Sequence, residues 1–244
     1  MTDGQSPLRP SPRQSLMVLA VDLDRTLLPP GGTSLGSASK VLTTVHRMGL
    51  KVVLASGREY HWLAALAAKL RFVDALVAEN GAVVEAPVGG RPRIVGRAMA
   101  SRVRRRLAQA RWTNVEYGEV VVSVPRSMGP RVGKLVKGLD VALVPNADRV
   151  MILPAGVSKA SGMQLALRAL HLGSRSFAAI GDGENDIPLL REAALSGAVS
   201  NAHPRVVAAV DYVCRAPFGA GVEEFVKGPL ANYPALGPPT PRRR

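Results

Sequence analysis

Short apolar stretches alternating with amphipathic ones set the fold class of this 244-residue chain. Leu16–Val21, Lys51–Ala55 and Ala75–Ala78 are brief apolar runs, which is how strands buried on both faces read. Between them Val41, Leu42, Val45 and Met48, and then Leu63, Leu66, Ala67 and Leu70, recur at helical spacing, with Gly49 where the first helix should stop. Strand, helix, strand, helix, strand implies right-handed crossovers and a parallel sheet. The alternation returns late in the chain. A helix is predicted over Met163–Leu170, a strand over Phe177–Ile180, a helix from Ile187, a strand at Ala198–Val199, a helix over Val206–Val210 and a strand at Tyr212–Val213. Both flanks are therefore α/β and are expected to share one Rossmann-like sheet.

The middle of the chain has another rhythm. A helix over Met99–Ala110, a strand over Glu119–Val124, a helix over Arg131–Lys137 and strands over Val141–Val144 and Val150–Leu153 predict a small α+β unit, a sheet with helices on one face. Charge divides the same way: of the net +14, residues 87–150 carry +9, whereas 16–86 carry +1 and 151–229 carry none. The expected organisation is a core built from 16–86 and 154–229, an insert at 87–153, and disordered tails at 1–15 and 230–244, the last ending in three arginines. A single cysteine excludes a disulfide framework or a Cys-rich zinc module, and Cys214 reads as a small buried residue. No apolar run approaches the roughly 20 residues that span a bilayer, and the polar, Pro-rich residues 1–15 are unlike a signal peptide, so a cytoplasmic protein is expected. The basic excess raises polyanion or nucleic-acid binding as a hypothesis.

In open parallel sheets ligands bind beyond the carboxyl ends of the strands. After the first strand comes Asp22-Leu23-Asp24-Arg25-Thr26. Carboxylates at i and i+2 leaving a buried strand point the same way, where they can hold a hard cation and offer one oxygen as a nucleophile; an isolated pair can equally cap a turn. Ser56-Gly57-Arg58 after the second strand offers a hydroxyl and free N–H groups for a phosphate, or simply an N-cap. Glu79-Asn80-Gly81 follows the third strand as a tight turn. After the strand ending at Ile180, Gly181-Asp182-Gly183-Glu184-Asn185-Asp186 puts oxygen ligands in one turn, with glycines that let backbone approach a metal or phosphate. Lys159 opens a helix aimed at the same sheet edge, where a cation can neutralise a phosphoryl group. His46, His61, His171 and His203 show no metal-ligand spacing.

Taken in order, these signals resemble the haloacid dehalogenase superfamily of phosphatases: Asp22–Leu28 its D-x-D-x-T motif, Ser56-Gly57-Arg58 its second, Lys159 its third-motif lysine and Gly181–Asp186 its G-D-x-x-N-D motif. An insert after the third strand resembles the subgroup with the second type of cap, and the layout is similar to archaeal phosphoglycolate phosphatases. Arg25 departs from the pattern, standing where the family most often has Gly. The resemblance implies Asp22 as the nucleophile that becomes an aspartyl-phosphate and Asp24 as the acid and base, its backbone carbonyl also available to a cation. It implies Mg²⁺ held by Asp22, Asp24, Asp182 and Asp186, and phosphate held by Ser56, Gly57, Lys159 and Asn185. The implied substrate is a small anionic phosphomonoester, 2-phosphoglycolate before a sugar phosphate, with an unassigned cap Arg taking its carboxylate. Transfer to an acceptor other than water is left open, as is the oligomeric state. Against nucleic acid, the insert has few aromatics, chiefly Trp112 and Tyr117, and no recognisable binding motif. Its arginines read equally as solvated helix faces or as a field that gathers a small anion.

Overall fold

The computed structural model describes residues 15–32, 35–146 and 148–233. The first flank runs β1 (Val18–Asp22), α1 (Gly36–Arg47), β2 (Lys51–Ala55), α2 (Tyr60–Ala67), β3 (Ala75–Ala78), β4 (Val83–Glu85) and β5 (Arg93–Ile94). The middle segment supplies α3 (Arg97–Gln109), β6 (Glu116–Tyr117), β7 (Val122–Pro125), α4 (Gly129–Leu135), β8 (Val141–Asn146) and β9 (Arg149–Pro154). The second flank adds α5 (Lys159–Ala169), β10 (Phe177–Gly181), α6 (Ile187–Glu192), β11 (Leu195–Ala198), α7 (Pro204–Val207), β12 (Tyr212–Val213) and α8 (Phe218–Phe225).

Both flanks build one eight-stranded sheet in the order β12-β11-β10-β1-β2-β3-β4-β5. It is parallel from β12 to β3, and β4 and β5 extend it antiparallel, as the Asn-Gly turn after β3 permits. Successive side chains of each strand serve opposite faces, so the continuous apolar runs feed two layers. Val18 and Ala20 pack with Met163, Ala166 and Leu167 of α5 and Leu189 and Leu190 of α6. Leu19 and Val21 pack with Leu42 and Val45 of α1, Leu63 of α2 and Phe225 of α8. The result is three layers with β1 near the middle.

β5 keeps the chain in the large sheet beyond residue 86. At the other end Leu230 is fully buried and Tyr233 packs against the core, so 230–233, expected with the tail, are part of the fold. The expectation of disorder for 1–14 and 234–244 lies outside the described residues. Among the described residues no helix is long and apolar enough to cross a membrane.

The middle segment folds into a second, antiparallel sheet, β6-β7-β9-β8. Val103 and Leu107 of α3 and Val132 of α4 cover one face, against Val122 and Val124 of β7 and Val150 and Ile152 of β9. Period-two alternation turns the intervening Ser123, Arg149 and Met151 to the other face, where they line a cavity.

The strand expected over Glu119–Val124 forms only from Val122. Its first half is diverted by Glu79, a fully buried carboxylate at the end of β3. The backbone N–H groups of Glu119, Val120 and Val121 donate to it at 2.7, 2.8 and 2.9 Å, and that of Tyr60 at 3.2 Å. Gly118 permits this approach, since a Cβ there would stand 2.6 Å from the carboxylate. Arg104 donates to the Gly118 and Glu119 carbonyls, and Arg106 to those of Leu135 and Lys137 at the end of α4. Part of the basic excess thus closes loops within this unit. Glu79→Gln presents an amide to these donors and leaves at least one unsatisfied. Urea unfolding should show a loss of roughly 1–3 kcal/mol; an unchanged midpoint would mean the loop docks without that charge.

Candidate active site

β1 and β10 are parallel neighbours, with Val21 opposite Ile180, so Asp22 at the end of one lies beside Asp182 just past the other. The turn after β10 folds back: the N–H groups of Asp182 and Gly183 donate to Asp186 Oδ2 at 3.1 and 2.9 Å. Gly181 makes room, because a Cβ there would lie 2.7 Å from the Asp186 carboxyl. Ser158 caps α5 with its hydroxyl accepting from Ser161 N, which fixes Lys159 as the first helical residue. That lysine is 1% exposed, and its Nζ donates to Asp22 Oδ1 at 2.5 Å and Asp186 Oδ1 at 2.6 Å.

One oxygen from each of Asp22, Asp182 and Asp186 falls within 4.8 Å of the others. Burial, then the Asp186 charge, pushes the Asp22 carboxyl well above the usual range, with Lys159 opposing. The same two causes raise Asp182 to about 6, against the Thr26 hydroxyl, Lys159 and Arg25. Burial works against the Lys159 charge, but Asp186 and Asp22 outweigh it and leave its pKa raised. One buried cation faces three buried carboxylates. Hard oxygen donors with negative charge left over fit a divalent cation.

Between pH 3.8 and about 6 the folded protein holds a proton on Asp182 that the unfolded chain has released, so cation-free stability falls as pH rises through that window. A cation must displace that proton. Calorimetric titration with Mg²⁺ should therefore give an affinity that climbs from pH 5 to pH 7, whereas an affinity flat across that range would exclude these carboxylates as ligands.

The other sequence candidates are placed differently. Asp24, expected to point with Asp22, instead faces Arg58: Nε donates to its two oxygens at 3.0 and 2.8 Å and Nη2 to Oδ1 at 2.6 Å. The strand ends at Asp22 and Asp24 sits in the following turn, so the period of two no longer holds. Its carboxylate is outside the acidic triad, and only its backbone carbonyl is left for the cation role expected of it. Ser56 is buried, its hydroxyl accepting the Arg58 N–H at 3.1 Å, while Gly57 borders a cavity. Asn185 donates to Asn80 Oδ1 at 3.1 Å and lines the cavity over Asp22. Arg25 has φ +64°, the left-handed region that favours glycine. Its Nε lies 3.3 Å from Asp182, and its carbonyl accepts from Asn201. Cys214 is buried, which raises its thiol to about 12 and disfavours the thiolate.

Sequence reasoning quoted Thr26 and Arg58 only as parts of motifs and gave neither a role; the Thr26 hydroxyl donates to Asp182 at 3.1 Å, and Arg58 holds Asp24. A cavity of about 930 Å³ lies over Asp22, Asp24 and Asp182, bordered by Arg126, Asn146 and Arg149 of the second unit. A second, of about 560 Å³, shares Asn146 and Arg149 and is bordered by Arg58, Trp62 and Tyr117.

The family model of haloacid dehalogenase-like hydrolases matches residues 19–93 and 143–226, leaving out most of the second unit. The phosphoglycolate phosphatase of Archaeoglobus fulgidus is 30% identical over 214 residues, 86% of this chain and 95% of the relative. That of Halorubrum lacusprofundi is 32% identical over 80% of this chain and 89% of its own. Among solved structures, a Thermoplasma acidophilum protein superposes with a TM-score of 0.76 at 17% identity, over 88% of this chain and 98% of that one. A haloacid dehalogenase subclass IIB sugar phosphatase does so with a TM-score of 0.69 at 19% identity, over 86% and 97%. At such identities the two structures speak for the fold alone.

Proposed function

The chain belongs to the haloacid dehalogenase-like hydrolases and is a phosphatase, and from that premise we propose that it is a Mg²⁺-dependent hydrolase of 2-phosphoglycolate. The observation that carries the chemistry is the buried Asp22 carboxylate held at 2.5 Å from Lys159 beneath a cavity. The substrate is supported by relatives named phosphoglycolate phosphatase that match along nearly their whole length. Within this reading the unit from α3 to β9 is the cap, its boundary near residue 96 because β5 remains in the core sheet.

Asp22 attacks phosphorus in line as the bond to the glycolate oxygen breaks, and Asp24 gives that oxygen its proton. Water then attacks the aspartyl-phosphate, its proton passes to Asp24, and phosphate leaves with Asp22 regenerated. Lys159 neutralises charge on the non-bridging oxygens and holds Asp22 in place. The Gly57 N–H and the Asn185 amide are further partners for the phosphoryl group, and Ser56 contributes by fixing the turn that presents the first of them. Bound at Asp22, Asp182 and Asp186, with the Asp24 carbonyl, Mg²⁺ would offset the repulsion between carboxylate and phosphate. Asp182 and Asp186 are kept in register for this by Thr26 and by the Asp182 and Gly183 N–H groups.

The nucleic-acid alternative loses support because Arg104, Arg106 and Arg149 of the cap are engaged with its own carbonyls and with Ser123 and Glu116. The deciding assay is Mg²⁺-dependent phosphate release across a panel of small phosphomonoesters. The highest kcat/KM should fall on phosphoglycolate; a sugar phosphate in first place would replace the substrate, and no turnover of any ester would replace the reaction.

A further inference from the structure

Arg25 pairs a pinned backbone with a side chain that is free to move. Its N–H donates to the Leu28 carbonyl at 2.7 Å, and its own carbonyl accepts from Asn201 Nδ2 at 2.8 Å. Asn201 is anchored in turn, because its Oδ1 accepts the Phe218 N–H at 3.0 Å. These bonds hold the residue at φ +64°, where glycine is at ease and an arginine is strained. The side chain has one ion-pair partner among the described residues: Nε lies 3.3 Å from Asp182 Oδ2, and neither Nη is hydrogen-bonded there. It is half exposed and borders the 930 Å³ cavity together with Asp22, Asp24 and Asp182.

The other donors at the acidic triad are fixed. Buried Lys159 serves Asp22 Oδ1 and Asp186 Oδ1. The N–H groups of Asp182 and Gly183 serve Asp186 Oδ2, and the fully buried Thr26 hydroxyl serves Asp182 Oδ1. Two oxygens remain: Asp22 Oδ2, with no hydrogen-bond donor among the described residues, and Asp182 Oδ2, which faces only Arg25. A divalent cation can take the first without displacing anything. At the second it meets a guanidinium held by a single contact and bordered by open space.

We infer that Arg25 is a built-in competitor of the divalent cation: its guanidinium neutralises Asp182 until the cation arrives, and is then displaced from Oδ2 into the cavity. This rests on the phosphatase reading above and on the triad as its cation site. Two positive charges repel when they converge on one carboxylate oxygen, so the cation binds less tightly than it would beside a glycine. Arg25 thereby sets the cation concentration at which the site fills, while Lys159 stays in place on Asp22 and Asp186.

The test is calorimetric titration with Mg²⁺ at pH 7.5 of the full-length wild type, Arg25→Gly, Arg25→Asn and Arg25→Lys. Glycine and asparagine both tolerate a positive φ, so the turn is kept while the charge is removed, and lysine keeps the charge. Folding of each variant is checked by circular dichroism. The Gly and Asn variants should bind Mg²⁺ about 3- to 10-fold more tightly, the scale of a half-exposed ion pair plus its repulsion of the incoming cation. The Lys variant should stay nearer the wild type. If the Gly and Asn variants bind Mg²⁺ no more tightly than wild type, Arg25 does not compete, and the inference fails while the cation site stands. Tighter binding by the Gly variant alone would trace the gain to relieved backbone strain and overturn the inference as well. Asp182→Asn is the control for the site itself. If the wild type binds no Mg²⁺, or loses no affinity in that variant, the cation site is misplaced and the Mg²⁺-dependent reading goes with it.

Discussion

Asp22→Asn will abolish turnover and leave a folded protein. The amide is isosteric and its oxygen still accepts from Lys159, so the packing at the end of β1 is preserved. It cannot attack phosphorus as a carboxylate does, and kcat should fall on the order of 10⁴-fold or more. The expected stability change has the opposite sign. Burial and the neighbouring Asp186 already oppose ionisation of Asp22, so replacing the acid with a neutral amide relieves repulsion in the cation-free protein. The variant should melt at the same or a higher temperature than wild type in EDTA, and bind Mg²⁺ more weakly. Phosphatase activity at the wild-type level would remove Asp22 from the chemistry altogether.

Lys159→Met should be the most destabilising single change at the site. It strips the buried partner from both Asp22 and Asp186, and breaking such a pair leaves uncompensated charge worth about 3–5 kcal/mol. In a chain of this size that lowers the melting temperature by roughly 10 °C or more. The loss must depend on pH if charge is its cause. Protonation relieves the orphaned carboxylates, so the deficit relative to wild type should shrink as pH falls from 7.5 toward 5. Added Mg²⁺ should recover part of it, by supplying the missing positive charge. Urea melts at both pH values, with EDTA and with Mg²⁺, separate this from simple loss of packing, which would give one deficit under all conditions. Turnover should also collapse, since no other buried cation contacts Asp22 among the described residues.

What was legible in the sequence was whatever a local pattern governs. Strands β2 and β3 coincide with Lys51–Ala55 and Ala75–Ala78 because buried parallel strands are apolar from end to end. The acidic turn after β10 was legible because its ligands lie within a few residues of one another. What was not legible depends on partners distant in the chain. β4, β5 and β6 are two or three residues long and exist because a neighbouring strand pairs with them. The strand expected at Ala198–Val199 lies at Leu195–Ala198, its register taken from β10. Helix α8, absent from the sequence reading, carries Gly219 and Gly221, which lower helix propensity. A Cβ at 221 would collide with the Ala216 carbonyl, so that glycine answers to packing. In the site, Arg58 meets Asp24 across 34 positions and Glu79 meets Val120 across 41. No periodicity encodes such pairs.

The Glu79 clasp has a bearing on how such an enzyme diversifies. Its donors on the cap are backbone N–H groups, which every residue except proline possesses. The seat of the cap therefore asks little of the identity of 119–121, provided that 118 stays small. Selection can rewrite the residues lining the cavity without first inventing a new way to attach them. For a designer, exchanging the cap should succeed when the grafted loop keeps a glycine followed by three donors at that latch, and fail when a proline enters it.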